Sequence, residues 1–181
     1  VKIMTCLLAL ENTQLTDEVT MTATGVSGVT DGGASISSQV DEVFTVEQCL
    51  YAIMVASAND IALQIAEHVG GSVDGFVQQM NTRAQELGCT NTVFTNPTGL
   101  PDDNQHTTAH DMALIMQAAI QNESFRTIAA ATSYTIPATN KAAARNLTSK
   151  FTMTDTGSTG FYEGCIGGKE GYTEASGSTL V

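Results

Sequence analysis

The chain has no tryptophan and only three prolines, and its 181 residues carry seven lysines and arginines against nineteen aspartates and glutamates. A formal net charge of −12 repels polyanions, which excludes DNA, RNA and an anionic membrane face as natural partners. No run of about 18 apolar residues occurs, so no helix spans a membrane, and the first residues show no signal-peptide pattern. The four cysteines, Cys6, Cys49, Cys89 and Cys165, contain no C-x-x-C spacing, and the usual zinc framework is therefore absent. Charged residues make up only 14 % of the chain; Thr, Ser, Asn and Gln take their place on the surface. What is present is a 42 % hydrophobic content, ordinary for a globular protein, in a length sufficient for one domain with its own core.

Residues 3–10 are nearly all apolar. Met4, Leu7, Leu8 and Ala9 favour helix, so this run is expected to be a buried helix, with Cys6 as a buried thiol on its face. Residues 20–24 alternate like a short strand, and Asp31-Gly32-Gly33 marks a turn. Thr45-Val46-Glu47-Gln48 is a capping box opening a helix through Leu50, Ile53 and Met54, with Cys49 on its apolar face. That helix breaks near Ser57-Ala58-Asn59-Asp60. A second helix is expected over residues 61–69, stopped by Gly70-Gly71. Ser72 caps a third, with Val73, Phe76, Val77, Met80, Ala84 and Leu87 at helical spacing and Gly88 ending it. Residues 89–106 read as loop. A helix starts at Thr107 or Thr108, and a shorter one at Ser124 running to about Ala131. Tyr134 to Pro137 reads as a strand, residues 138–160 as irregular, and residues 161–166 and 172–181 as strands. The sum is a helical region flanked by strands, an α/β or α+β domain.

Three clusters could carry chemistry: Lys2, Ser57-Ala58-Asn59 and Lys169-Glu170-Gly171. A lysine one turn after a serine on a helix sets its amine beside the hydroxyl. If burial and neighbouring cations lower its pKa, the neutral amine accepts the serine proton. Taken alone, Lys2 reads first as an ordinary solvated lysine. Ser57 and Asn59 between two helices could present a hydroxyl and an amide to a cleft, or could serve as a helix N-cap. Lys169 to Gly171 on a strand could offer backbone N–H groups to a peptide or an oxyanion, with Gly171 allowing close approach, or could be a surface strand with a charged pair. His106 and His110 are four apart, but no third ligand stands beside them; Asp102-Asp103 lacks EF-hand spacing.

In this order the clusters resemble the S-x-x-K, S-x-N and K-T-G elements of penicillin-binding proteins and serine β-lactamases. The surrounding segments, residues 51–66 (YAIMVASANDIALQIA), 76–100 (FVQQMNTRAQELGCTNTVFTNPTGL), 106–111 (HTTAHD) and 167–173 (GGKEGYT), resemble the low-molecular-mass D-alanyl-D-alanine carboxypeptidases, serine peptidase family S11. The likeness runs from Val1 to Val181. It implies a penicillin-binding-protein or β-lactamase-like fold, a helical cluster on a mainly antiparallel sheet, in a single transpeptidase-like catalytic domain over residues 1–181. It also implies removal of the terminal D-alanine from peptidoglycan stem peptides through an acyl-enzyme. β-Lactams would be covalent inhibitors, no cofactor would be needed, and the location would be extracytoplasmic, in the bacterial cell envelope. Carried over by position, Lys2 is the general base, Ser57 shuttles a proton to the leaving amine, Asn59 binds the substrate backbone and Lys169 supplies positive potential. Gly171 and Tyr172 lie where a backbone N–H completes the oxyanion hole. Arg145, in an Arg-Asn pair, would help hold the substrate carboxylate.

Two departures accompany the likeness. The serine of S-x-x-K falls two residues before Val1, so the chain is expected to be a fragment, lacking outer strands as well, and residues 1–181 alone are expected neither to turn over a D-Ala-D-Ala peptide nor to fold robustly. Glu170 stands where a threonine hydroxyl commonly binds the terminal carboxylate, and a glutamate there would repel that anion unless it points away or pairs with Lys169 or Arg145. A non-catalytic wall-binding relative and a D,D-endopeptidase are the alternatives. The E-x-x-L-N loop of class A β-lactamases is not found between Gly88 and Thr107.

Overall fold

Helix α4, Asn59–Gly70, is the element around which the others gather. Ile61, Ala62, Ile65 and Ala66 lie on its buried face and expose nothing to solvent. The two alanines let neighbouring helices approach closely, and the isoleucines fill the gaps between them. Against α4 pack α1 (Lys2–Asn12), α2 (Ala23–Ser27), α3 (Val46–Val55), α5 (Val73–Glu86) and the strand β1 (Glu18–Thr20). Helix α6 (Ala109–Ala119) lies on α1, and α7 (Glu123–Ala129) lies on α3 and α1. These relations come from a computed structural model, which describes residues 1–27 and 33–181. No helix among the described residues is long and apolar enough to cross a membrane.

The described strands form three antiparallel pairs. β1 pairs with β2 (Val43–Thr45), with Val19 opposite Phe44, both buried. β3 (Ser133–Ile136) pairs with β4 (Arg145–Thr148), with Tyr134 opposite Leu147. β5 (Glu170–Thr173) pairs with β6 (Gly177–Leu180), with Glu170 opposite Leu180. One further pair of bonds extends that last ladder, Lys169 N–H to the Val181 carbonyl at 3.0 Å and Val181 N–H to the Lys169 carbonyl at 3.1 Å.

The helix starts follow their caps. Thr45 accepts from the Gln48 backbone N–H while Gln48 reaches back to the Thr45 N–H, a complete capping box. Ser72, Thr108 and Asn122 cap α5, α6 and α7 through their side chains. Helix α4 stops at Gly71, whose φ of 72° lies in the left-handed region that glycine enters without strain. Residues 3–10 are helical and buried up to Ala9, and Cys6 and Cys49 are buried free thiols.

Several local expectations are corrected. Residues 20–24 are not one strand: β1 ends at Thr20 and α2 begins at Ala23, because the Thr22 backbone N–H is drawn to Gln64 of α4 rather than to a ladder. The Asp31-Gly32-Gly33 turn falls largely outside the described residues. Helix α7 begins at Glu123, capped by Asn122 rather than Ser124, and ends at Ala129. Within residues 138–160 the strand β4 was hidden, since Leu147 is its only buried side chain. Residues 161–166 form turns, not a strand: Cys165 N–H bonds back to the Tyr162 carbonyl, and Gly164 has φ 86°. Residues 172–181 are the end of β5, a turn and β6.

Candidate active site

Lys2 is the first residue of α1. Its Nζ donates to the Asn59 side-chain oxygen at 2.7 Å and to the Thr98 carbonyl at 2.5 Å. The first contact joins the start of α1 to the start of α4, and the second brings in the loop of residues 95–100. Burial, and then the charge of Lys169, lower the Lys2 pKa to about 8, against weaker opposing effects of Cys6 and Glu170. The Lys169 and Glu170 charges are therefore near enough to act on the Lys2 amine. Cys6, one turn along α1, is no competitor as a nucleophile, because burial pushes its thiol up to about 12.

The second cluster is not a helix cap. The N-cap of α4 is Ala58, with no side-chain bond to the helix. Asn59 instead turns its carbonyl oxygen to Lys2 and is nearly fully buried, while its backbone N–H bonds the Ala34 carbonyl at 2.7 Å. Its amide nitrogen lies against Gly33, where an added Cβ would approach it to 2.5 Å. Ser57 has φ 59°, a left-handed conformation costly for serine, and its hydroxyl makes no hydrogen bond to a described residue. Next to Asn59, the fully buried Asp60 accepts from the Ser35 and Ser38 hydroxyls at 2.9 and 2.8 Å and from the Ser38 N–H at 3.1 Å. That carboxylate fastens residues 35–38 over the start of α4 and fixes one wall beside Asn59.

In the third cluster, Lys169 is 7 % exposed, and its Nζ donates to the Glu170 carbonyl at 2.8 Å and to Glu170 Oε2 at 2.9 Å. Of the two partners expected for Glu170, the structure shows Lys169. Gly167 and Gly168 hold the strand close: an added Cβ would lie 2.9 Å from the Ala129 backbone at Gly167 and 2.5 Å from the Phe151 ring at Gly168. Gly171 lies in β5 opposite Thr179, and the Tyr172 side chain is exposed.

Arg145 is engaged elsewhere. Its guanidinium donates to Glu42 at 2.7 and 3.0 Å and stacks over the Phe44 ring at 5.7 Å, on the β2–β4 side of the molecule. No contact joins it to Lys2, Asn59 or Lys169. The structure thus brings together Lys2, Asn59 and, through its charge, the Lys169–Glu170 pair, with Ser57 beside Asn59 in the chain.

Two participants escaped sequence reasoning. The Thr98 carbonyl has no sequence signature as an acceptor for Lys2. It is aimed by Asn96, whose side-chain oxygen accepts from Thr98 N–H, the Thr98 hydroxyl and Gly99 N–H at 3.2, 2.9 and 2.7 Å, and whose amide donates to the Leu100 carbonyl at 3.0 Å. The Thr5 hydroxyl ties the same loop to α1 through the Pro97 carbonyl at 2.8 Å. The only available signal was the Asn96-Pro97 turn chemistry, an asparagine that bonds the backbone two residues on.

The family profile described as D-alanyl-D-alanine carboxypeptidase, peptidase S11, matches residues 1–181. A D-alanyl-D-alanine carboxypeptidase of Mycobacterium tuberculosis is 33 % identical over 186 residues, covering 100 % of this chain and 59 % of its own. One of Bacillus subtilis is 38 % identical over 128 residues, covering 68 % of this chain and 32 % of its own. The chain thus spans between a third and three-fifths of the length of these relatives. Among solved structures, a D-alanyl-D-alanine carboxypeptidase from Mycobacterium tuberculosis superposes with TM-score 0.86 at 30 % identity, over 99 % of this chain and 65 % of the other. A Streptomyces DD-transpeptidase superposes with TM-score 0.85 at 28 % identity, over 96 % and 69 %. Fold, site order and sequence lead to one conclusion: this chain has the DD-peptidase fold and belongs to the D-alanyl-D-alanine carboxypeptidase family S11.

Proposed function

We propose that the protein containing this chain is a serine-type D-Ala-D-Ala carboxypeptidase. It would trim the terminal D-alanine of peptidoglycan stem peptides outside the cytoplasm, and penicillins would acylate it. On this reading the nucleophile would be a serine one helical turn before Lys2, two positions ahead of Val1. The observation that carries this reading is the pair of bonds from Lys2 Nζ, to Asn59 Oδ1 at 2.7 Å and Thr98 O at 2.5 Å. A neutral amine has two N–H donors and one lone pair. With both donors committed to these acceptors, the lone pair is left to face the hydroxyl and take its proton.

The acyl transfer then has assigned parts. Lys2 accepts the serine proton as the serine oxygen bonds the substrate carbonyl. The tetrahedral oxyanion is met by backbone N–H groups at the start of the serine-bearing helix and along β5 near Tyr172. The C–N bond breaks, and the leaving amine takes the proton back through Ser57. Water, deprotonated by the same amine, cleaves the ester. Lys169 supplies positive potential. The contacts of Arg145 favour a framework role for it.

The test is covalent labelling of the longer protein with a fluorescent penicillin, with the site of attachment read by mass spectrometry. A label on the serine two residues before Val1 is the expected outcome. No label, or a label on another residue, would overturn the reading and favour a wall-binding relative without catalysis.

A further inference from the structure

The third cluster carries a carboxylate, Glu170, paired with Lys169. We propose that the Lys169–Glu170 pair selects substrates in which the residue after the scissile bond ends in a carboxamide, or continues as a peptide, over those ending in a free carboxylate. The proposal rests on the acyl-transfer reading above and makes the free-acid stem peptide the slower of the substrates, not an excluded one.

The reason is a count of donors and acceptors. A lysine ammonium has three N–H donors and no acceptor. Lys169 spends two of them on the Glu170 carbonyl and on Glu170 Oε2. One donor remains. Glu170 Oε2 is occupied by that bond, and Oε1 accepts nothing from the described residues, so one acceptor remains beside the free donor. The Glu170 side chain is 28 % exposed, so a ligand can reach it. Its charge also reaches the Lys2 amine, opposing the larger lowering of that pKa by burial and by Lys169.

A carboxamide is the complement of this pair. Its carbonyl oxygen accepts from Lys169 Nζ, and its N–H donates to Glu170 Oε1. A carboxylate carries acceptors only. One of its oxygens could meet Lys169, but the other would face Glu170 Oε1 with no proton between them, two like charges in a partly desolvated place. Glu170 already balances Lys169, and the Lys2 amine is neutral when it acts as the base, so neither lysine offers a free positive charge to that carboxylate. The bond chemistry is unchanged: the ester C–O bond forms, the amide C–N bond breaks, and the leaving amine departs with the proton as an amino-acid amide or as a peptide. Water then hydrolyses the ester.

The experiment uses the longer protein and two acyl-D-Ala-D-Ala peptides that differ only in a terminal carboxylate or carboxamide. Release of D-alanine or D-alaninamide gives kcat/KM for each. The amide is expected to be preferred by about tenfold or more, the scale of one unpaired partner in a shielded site. Glu170→Thr should move the ratio towards the acid by a similar factor, and the isosteric Glu170→Gln should move it in the same direction. Preference for the acid in the native protein would overturn the proposal, as would a ratio that neither substitution alters, even when penicillin labels the serine. Release from neither peptide together with no penicillin label would overturn the underlying reading, and the proposal with it.

Discussion

At the scale of single residues, the amine of Lys2 is the most informative group. Burial and Lys169 bring its pKa to about 8, so the neutral fraction, and with it acylation, should rise with pH through that value. A penicillin acylation rate measured from pH 6 to 10 should show one ascending limb centred near 8; a flat profile would count against Lys2 as the base. The sign for stability follows from the same shift. The unfolded chain holds this proton up to about 10.5 and the folded chain only to about 8, so burial of the charge opposes folding below pH 8, and that opposition fades between the two values. Lys2→Arg keeps a cation but cannot give up its proton. It should lower acylation by about 10²–10⁴-fold, the usual worth of a positioned base, whereas a merely structural cation would be rescued by arginine. Ser57 offers a second separation. Its φ of 59° suits glycine, so Ser57→Gly should leave the melting temperature unchanged or raised, by about 1 kcal/mol of relieved strain, while turnover falls for want of the hydroxyl. Equal turnover in the variant would remove Ser57 from the proton path.

At the scale of elements, the site is a meeting of two helix starts and a strand. Helix α1 carries Lys2, α4 carries Asn59, and β5 begins beside Lys169. Their relative placement is held by buried contacts rather than by the site itself: Ile61, Ala62, Ile65 and Ala66 seat α4, and Thr5 and Asn96 seat the loop that aims the Thr98 carbonyl. Helix α3, which packs against α4 and α1, starts on the capping box of Thr45 and Gln48. Thr45→Ala removes that cap and should cost about 1 kcal/mol of stability, measured by denaturant unfolding, with the acylation inflection near pH 8 unmoved. A shifted inflection would show that the cap is coupled to the site.

At the scale of the whole molecule, the Glu42–Arg145 pair joins distant parts of the chain. Glu42 is fully buried and Arg145 partly so; Thr139 also donates to Glu42, and Arg145 covers Phe44. Burial alone would raise the Glu42 pKa, but the hydrogen bonds from Arg145, Thr139 and the Gln39 backbone outweigh it and leave the carboxyl below its usual 4.5. A depressed carboxyl contributes stability that is fully present above pH 4.5 and is lost as pH falls through the folded value. Arg145→Ala strands a buried carboxylate, and should cost about 3–5 kcal/mol at neutral pH while flattening the acid limb of the stability curve. Were Arg145 a substrate-carboxylate ligand instead, the variant would raise KM for the acid peptide and leave the melting temperature where it was.

Local chemistry was enough for α1, α3, α4, α5 and α6 but not for α2, whose start was read as part of a strand; the family came from the resemblance of the motif segments. Capping residues, helical spacing of apolar side chains and stop glycines act over a few positions, and α1, α3, α4, α5 and α6 start within two residues of where their caps and apolar spacing put them. Strands were less legible because pairing partners lie outside the local window. β4 has one buried residue to announce it, and residues 161–166 look apolar enough for a strand but turn at Gly164. Whether Asn59 capped a helix or bound Lys2, and that the Thr98 carbonyl faces the amine, were decided only by the packing of α1 on α4 and on the loop of residues 95–100; Arg145 was kept from Glu170 by its bonds to Glu42. Those contacts span 57 residues for Asn59 and 96 for Thr98, and no spacing rule within a chain reaches that far. Burial and the nearness of a second cation, both properties of the assembled fold, are what turn an ordinary lysine into a base.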